Sequence, residues 1–532
     1  MMFLRKYNDR TFYWILTALI LVIGSTGSAY GQAPALDGAI KPGEVIKVLQ
    51  PVPRSIGIPG IFDQTNLVET PRLEVQKLLD EDAAQTLLGP LRIGVIQEFS
   101  AITTRQGKWM EIEDGGILWV AWFRAPGAIS IRLRVKPWTP LLGGELIVYD
   151  AKDHAQVFGP FTRTTHRKSQ EFWTPPIFSE EIRLEYYLPA WMKQGSDEAF
   201  LAVDAIANQY RSIPGTAATG GTLPRELSCH LDVSCYTAWS NEANGVGALT
   251  YVSSPTHGQF FCSGAMLNRL PQDFTPFFAT ARHCGGSDGW DQQEAESAFV
   301  FWFYQTPSCN GTPPNPATLP HTSGAILLVD DSNTDYTLLG LESSLPGGIN
   351  HEGWDANYWS NNSAATGIHH PRGTYKRITF GTKTDDVTSC IPAKAWRIYI
   401  PDGNGELEPG SSGSPVFDSD HRVRGAASCA SWSCTSDDVI EYARFDLAFP
   451  LLEPYLYRND ASEWDVYVNG TYTGTEKGTV TQPFNTVEEG VFAVRKGTAY
   501  TLYIEAGSYD EPMVIDKAMT LLSRNGVATI GQ

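Results

Sequence analysis

The residues best suited to chemistry are a serine in a small-residue turn, Gly410-Ser411-Ser412-Gly413-Ser414-Pro415, and two upstream stretches. These are Ala279-Thr280-Ala281-Arg282-His283-Cys284 and Thr334-Asp335-Tyr336-Thr337-Leu338-Leu339. A glycine-flanked turn closed by proline lets a hydroxyl stand clear of its backbone while neighbouring N–H groups converge on one point. Alone, such a hexapeptide reads as an ordinary loop; the histidine and the aspartate change that reading. Serine is a poor nucleophile at neutral pH, so a base must take its proton and a carboxylate must hold that base in the right tautomer. Ser412 is therefore the candidate nucleophile, His283 the candidate base and then acid, and Asp335 the candidate orienting acid. The backbone N–H groups of Gly410 and Ser412 are the candidate donors to an oxyanion. His369 and His370 are alternative bases, but Pro371 restricts them, and they read as a strand end.

Three residues from distant parts of a chain need a scaffold of several strands and loops. At 532 residues the chain exceeds one ordinary core, and about three domains are expected. Residues 1–31 read as a signal peptide: Arg5, Lys6 and Arg10 precede an apolar run from Phe12 to Ile23, too short to span a bilayer, and small residues follow. Residues 32–211 read as a β-sandwich. Ile129, Ile131, Leu133 and Val135 alternate with polar neighbours, as do Ile182, Leu184, Tyr186 and Leu188, the period of half-buried strands. Its aromatic residues Trp119, Trp122, Trp138, Phe172 and Trp173 read as core packing, with a carbohydrate or peptide groove as the alternative.

Residues 212–224 are rich in Gly, Thr and Ala without apolar periodicity and read as a linker open to proteolysis. Residues 225–458 hold short apolar strands separated by Gly and Pro turns, which suits a pair of antiparallel β-barrels. In residues 459–532, Pro483-Phe484-Asn485-Thr486 and Tyr500-Thr501-Leu502-Tyr503-Ile504-Glu505-Ala506-Gly507 resemble the opening rungs of a right-handed parallel β-helix. About two rungs are present, fewer than a free-standing solenoid needs. The expected fold class is all-β throughout.

The formal charge of −19 argues against a nucleic-acid partner, because no basic excess exists to neutralise phosphates. All eight cysteines lie between Cys229 and Cys434, which in an exported chain suggests disulfides in one domain. No CxxC pair or cysteine–histidine ligand spacing points to a metal. No cofactor is implied, and stable membrane insertion is not expected.

The central segment resembles the bacterial lysyl endopeptidase precursors of the chymotrypsin clan, which share the order His, Asp, Ser. The resemblance rests on Ser228-Cys229-His230-Leu231-Asp232-Val233-Ser234-Cys235, Cys262-Ser263-Gly264, Thr280-Ala281-Arg282-His283-Cys284, Asp335-Tyr336-Thr337-Leu338-Leu339, Gly353-Trp354-Asp355, Ile368-His369-His370-Pro371 and Glu408-Pro409 through to Pro415. It implies a double β-barrel serine endopeptidase, secreted to the periplasm or outside a bacterial cell, with the sandwich as a pro-region and the protein as a zymogen. It also implies disulfides Cys229–Cys434, Cys235–Cys309 and Cys262–Cys284, leaving Cys390 and Cys429 as a fourth candidate pair. Many chymotrypsin-type enzymes carry an aspartate before the nucleophile that receives a new amino terminus on activation. Ser411 stands there instead, so that switch is not available.

Specificity departs from the resemblance. The family places an acidic residue two positions before the Tyr of a Tyr-Gly-Arg run. Here the run is Tyr442-Ala443-Arg444, and Ile440 holds that position. Asp437, Asp438 or Glu441 is expected to supply the charge after a local shift, giving cleavage after Lys or Arg; otherwise the pocket is apolar. No lysine occurs between Lys193 and Lys376, so self-maturation near the linker would use Arg211 or Arg225. The expected partners are protein or peptide substrates, with a cell-surface ligand for the tail. The alternative function is a surface adhesion or binding protein whose protease-like domain does not cut.

Overall fold

The computed structural model describes residues 33–531 apart from 43–50, 62–66, 84–88, 107–108, 153, 155, 164, 166–169, 193–200, 215–227, 388–390, 432, 459–464, 496–499, 512, 514 and 516. The signal segment, Arg225, Cys390 and most of the 212–224 linker lie outside the described residues. Among the described residues no helix is long and apolar enough to cross a membrane.

Two sheets form the N-terminal sandwich. In one, the strands Ile117–Arg124, Glu181–Leu188 and Glu145–Asp150 lie side by side and antiparallel. In the other, Ser130–Val135 and Ala202–Gln209 pair antiparallel, and Ala202–Gln209 pairs in turn with Leu91–Thr103. The inward positions of their alternating patterns, including Trp119, Phe123, Leu133, Leu184 and Ile206, make one buried core. Trp138, Phe172 and Trp173 are also buried, which agrees with packing rather than an open groove.

The Leu91–Thr103 strand belongs to two sheets at once. Its first residues pair antiparallel with Gly258–Leu267: Leu91 opposite Phe261 and Val95 opposite Gly258. A single 11-stranded sheet therefore runs from the sandwich into the first barrel of the central segment. The start of this strand is fixed within the N-terminal part, where Asp82 accepts hydrogen bonds from Arg92 (2.7 Å), Arg211 (2.5 Å) and Tyr210 (2.6 Å).

The first barrel comprises Val246–Ser253, Gly258–Leu267, Phe277–Ala281, Ala325–Asp331 and Tyr336–Leu341 with shorter neighbours. In the second, the order Val423–Ala430, Pro415–Phe417, Ala364–His369, Arg377–Val387, Ala395–Ile400 and Asp438–Arg444 closes on itself, because Asp438–Arg444 also pairs with Val423–Ala430. Closure removes sheet edges and leaves loops at the barrel seam free to carry side chains. The architecture is all-β with a chymotrypsin-like pair of barrels at its centre.

The tail adds a three-stranded parallel sheet of Val466–Val468, Thr501–Tyr509 and Thr520–Ile530. It packs on the first barrel and the helix that follows the second: the buried Arg269 donates to the Ala493 carbonyl (2.9 Å), and the Tyr455 ring lies tilted against Phe484 at 5.4 Å.

Candidate active site

The turn bearing Ser412 is held from both sides. Ser263 donates its N–H to the Ser412 carbonyl (2.9 Å) and its hydroxyl to the Gly410 carbonyl (2.9 Å). Gly413 donates to the Ala427 carbonyl (2.9 Å). Gly413 sits at φ +80°, and a Cβ there would come within 2.2 Å of Thr280 Oγ1, so only glycine lets the turn press against the strand that carries His283. Gly410 has φ +98°, again in the left-handed region. Its N–H is not vacant: it donates to the carbonyl of Gly89, the residue before Pro90 and the Leu91–Thr103 strand (3.1 Å).

Ser411 occupies the place of the missing aspartate. Its hydroxyl meets His369 Nδ1 at 2.8 Å, and both residues are fully buried. Burial pushes the His369 imidazole well below its ordinary range, with His230, His370 and Arg377 adding to the effect. A neutral hydroxyl–imidazole pair thus braces the turn where an ion pair would otherwise be needed. His370 is likewise buried, donating through Nδ1 to the Thr374 carbonyl (2.9 Å), so neither histidine faces Ser412 as a base. Beneath them Glu408 pairs with His230 (2.8 Å) and with Arg372.

His283 lies in a short helical turn, Arg282–Gly285, at the end of Phe277–Ala281. The Cys262–Cys284 disulfide ties this turn to the Gly258–Leu267 strand. Asp335, at φ +57°, accepts the His283 backbone N–H at Oδ1 (2.9 Å) and faces His283 Nδ1 at Oδ2 (2.8 Å). Ser428, on the Val423–Ala430 strand of the other barrel, donates its hydroxyl to the same Oδ2 (2.5 Å). Burial alone would raise the Asp335 carboxyl. The His283 charge and the hydrogen bonds from His283 and Ser428 outweigh burial and hold it below the ordinary carboxylate range. An ionised Asp335 accepts from His283 Nδ1–H, which leaves Nε2 as the lone-pair nitrogen. His283 Nε2 and Ser412 Oγ are both buried and have no hydrogen-bond partner among the described residues. Ser428 carried no signal in the sequence, because only the meeting of the two barrels brings it to Asp335.

The carboxylates near the expected specificity pocket separate by strand face. Asp437 is exposed, accepting from the Tyr399 hydroxyl and from the Asp402 N–H (3.0 Å). Glu441 pairs with Arg397 at 3.6 Å. Ile440 is fully buried in an apolar cluster with Leu407, Ala430 and Tyr442. Asp438 points inward and accepts from the Ser431 hydroxyl (2.6 Å).

Facing Asp438 is a residue that sequence reasoning passed over. Glu406 is 1% exposed and accepts from the N–H of Leu407 (2.8 Å) and of Ser433 (3.4 Å). Burial and the adjacent Asp438 push its carboxyl up to about 8. Neither carboxylate forms an ion pair among the described residues. The available signal was the position of Glu406 on the segment leading into Ser412, masked by the nearer acidic run 437–441.

The structure contains the disulfides Cys229–Cys434, Cys235–Cys309 and Cys262–Cys284. Cys429 is also disulfide-bonded, and Cys390 lies outside the described residues. Among the described residues no group of His, Cys, Asp and Glu is arranged to hold a metal ion.

Residues 225–445 match the family model described as "Lysyl endopeptidase, C-terminal domain". The lysyl endopeptidase of Pseudomonas aeruginosa is 27% identical over 364 residues, 63% of this chain and 74% of that protein. Among solved structures, the HtrA-type protease AlgW with a tripeptide aligns at TM-score 0.29 and 17% identity, over 41% of this chain and 62% of that one. The Rv3671c protease of M. tuberculosis in its active form aligns at TM-score 0.30 and 11% identity, over 44% of this chain and 93% of that one. The chain is a serine endopeptidase, similar over its central domain to lysyl endopeptidase.

Proposed function

We propose that the protein is an exported serine endopeptidase in which Ser412 attacks the substrate carbonyl. His283 takes the Ser412 proton and returns it to the leaving amine, while Asp335, supported by Ser428, holds His283 in the productive tautomer. The Gly410 and Ser412 N–H groups stabilise the tetrahedral oxyanion, and water then releases the acyl group. The observation that carries this reading is the pair of buried, unpartnered atoms, Ser412 Oγ and His283 Nε2, beside an Asp335 already bonded to His283 Nδ1. A buried polar atom without a partner costs ~1–3 kcal/mol, a cost more readily explained at a reactive centre than in packing.

We further propose cleavage after Lys or Arg, with Glu406 and Asp438 as the anionic base of the pocket. Glu406 lies on the segment entering the nucleophile turn, and Asp438 on the strand paired with the one that carries Ser428. With no cation beside it among the described residues, Glu406 keeps its proton at neutral pH, and an incoming ammonium or guanidinium displaces that proton and pairs with both carboxylates.

The sandwich is read as a pro-region, residues 1–31 as an export signal and the tail as an accessory module with rungs akin to a β-helix. The test is to express residues 32–532 with and without Ser412→Ala, digest a mixed peptide library after linker cleavage and map the cuts by mass spectrometry. Serine-dependent cuts after Lys or Arg are expected. Serine-dependent cuts after apolar residues would retain the mechanism and remove the pocket assignment. No cutting and no reaction with a serine-directed phosphonate would favour the adhesion alternative.

A further inference from the structure

The Leu91–Thr103 strand enters the protease beside its nucleophile, and its register is informative. Leu91 lies opposite Phe261, so continuing the antiparallel register by two residues brings Gly89 level with Ser263. Ser263 is the residue whose N–H and hydroxyl hold the carbonyls of Ser412 and Gly410. At that level the Gly89 carbonyl accepts the Gly410 N–H at 3.1 Å. Gly89 is buried and Ser412 has no exposed surface, although the serine of an open protease must be reachable by solvent and substrate. Leu91 is anchored in the same apolar cluster as Phe261 and Tyr304, and Arg92 by Asp82.

We infer that Gly89-Pro90-Leu91 is bound across the nucleophile in the manner of a substrate. The Gly89 carbonyl occupies the oxyanion site, and Pro90 onward lies on the leaving-group side, along the Gly258–Leu267 edge. The inference rests on Ser412 and His283 being catalytic, as proposed above.

Two properties of the segment explain why it would stay uncut. Hydrolysis would bond Ser412 Oγ to the residue-89 carbonyl carbon and break the bond to the residue-90 nitrogen as His283 delivers the Ser412 proton to it. Water would then free the acid at residue 89. Pro90 carries ring carbon on that nitrogen in place of hydrogen, which crowds the approach of His283. Gly89 also offers no side chain to the pocket. The chain therefore blocks its own cleft with a peptide that fits but does not react, and release of the strand opens the site.

The test uses the full chain. Pro90→Ala and the double variant Gly89→Lys/Pro90→Ala turn the 89–90 bond into an ordinary peptide bond, the second with a basic residue before it. A new amino terminus at residue 90, found by intact mass and N-terminal sequencing, is expected in one or both variants. Its rate of formation should not depend on protein concentration, and it should be absent from the parent and from either variant carrying Ser412→Ala. In parallel, a fluorophosphonate should label Ser412 in Leu91→Asp, which weakens the docked strand, roughly 100-fold faster than in the parent. That ratio corresponds to an effective concentration of ~1 mM for the tethered strand against an intrinsic Kd of ~10 μM.

Thermal unfolding verifies that each variant folds; if Leu91→Asp does not, the 89–90 bond decides. Variants that cut added peptides yet keep that bond intact would overturn the inference, as would rapid labelling of Ser412 in the parent. If no form labels or cuts any peptide even after linker cleavage, the catalytic reading fails and the inference falls with it.

Discussion

Glu406→Gln removes one negative charge from the proposed pocket while preserving the shape of the side chain. An ammonium about 4 Å from a carboxylate gains ~4 kcal/mol at an effective dielectric of ~20. Breaking a buried pair by deleting one partner costs ~3–5 kcal/mol. Asp438 remains to hold part of that charge, so the expected loss in kcat/KM for a lysyl substrate is ~2–4 kcal/mol, roughly 30- to 1000-fold. A substrate with a neutral residue before the scissile bond should change by less than about threefold.

The pocket also predicts a pH dependence. With its carboxyl pushed up to about 8 by burial and by Asp438, Glu406 holds a proton at neutral pH in the empty pocket. A cationic side chain must displace that proton, so KM for a lysyl peptide should fall as pH rises towards about 8, by up to about tenfold per unit. It should then level off until the lysine itself loses its proton near ~10. The assay is a set of kcat and KM profiles from pH 6 to pH 9.5 on a Lys, an Arg and a Leu peptide, for the parent and for Glu406→Gln, after linker cleavage. An unchanged Lys-to-Leu preference in Glu406→Gln would refute the argument, as would an equal loss on all three peptides. The latter would assign Glu406 to structure rather than to recognition.

Ser412→Ala should abolish peptide cleavage and raise thermal stability slightly, since it removes a buried hydroxyl without a partner; differential scanning calorimetry would register a gain of ~1 kcal/mol or less. Asp335→Asn should lower kcat by ~10⁴ with little change in KM, because His283 is then held in the wrong tautomer. The depressed Asp335 carboxyl contributes stability above its unfolded value near ~4, and this contribution is lost as pH falls through the folded value. Acid unfolding should therefore begin at higher pH in Asp335→Asn, as followed by circular dichroism. Replacing Cys262 and Cys284 together by Ala should cost ~2–4 kcal/mol in denaturant unfolding. It should also lower kcat more than it raises KM, because the disulfide anchors the turn bearing His283.

Motifs whose geometry is local were legible in the sequence. The glycine-flanked serine turn, the histidine before a cysteine and the alternating strands of the sandwich depend on residues a few positions apart, so composition and period reveal them. That Ser411 is not an aspartate was equally plain. Its replacement by a buried pairing with His369 was not, because the partners are 42 residues apart and meet only through barrel closure.

The same distinction governs the acidic residues of the 437–441 run. Side chains alternate along Asp438–Arg444, so Asp438, Ile440 and Tyr442 turn inward while Val439 and Glu441 turn out, and Glu441 meets Arg397 instead of a substrate. Four candidate positions within five residues look alike until register and partner strand are known. Glu406 and Ser428 become visible only when their segments are packed beside Asp438 and Asp335.

By itself, the sequence pointed to the kind of chemistry and named the candidate residues for it, because reactive side chains and turn-forming glycines carry their signal locally. Only the tertiary structure decided that Glu406 and Asp438 turn inward while Glu441 meets Arg397, and that Gly89 reaches Gly410. Strand register and the pairing of segments hundreds of residues apart arise from the closing of the sheets, and no local pattern records them.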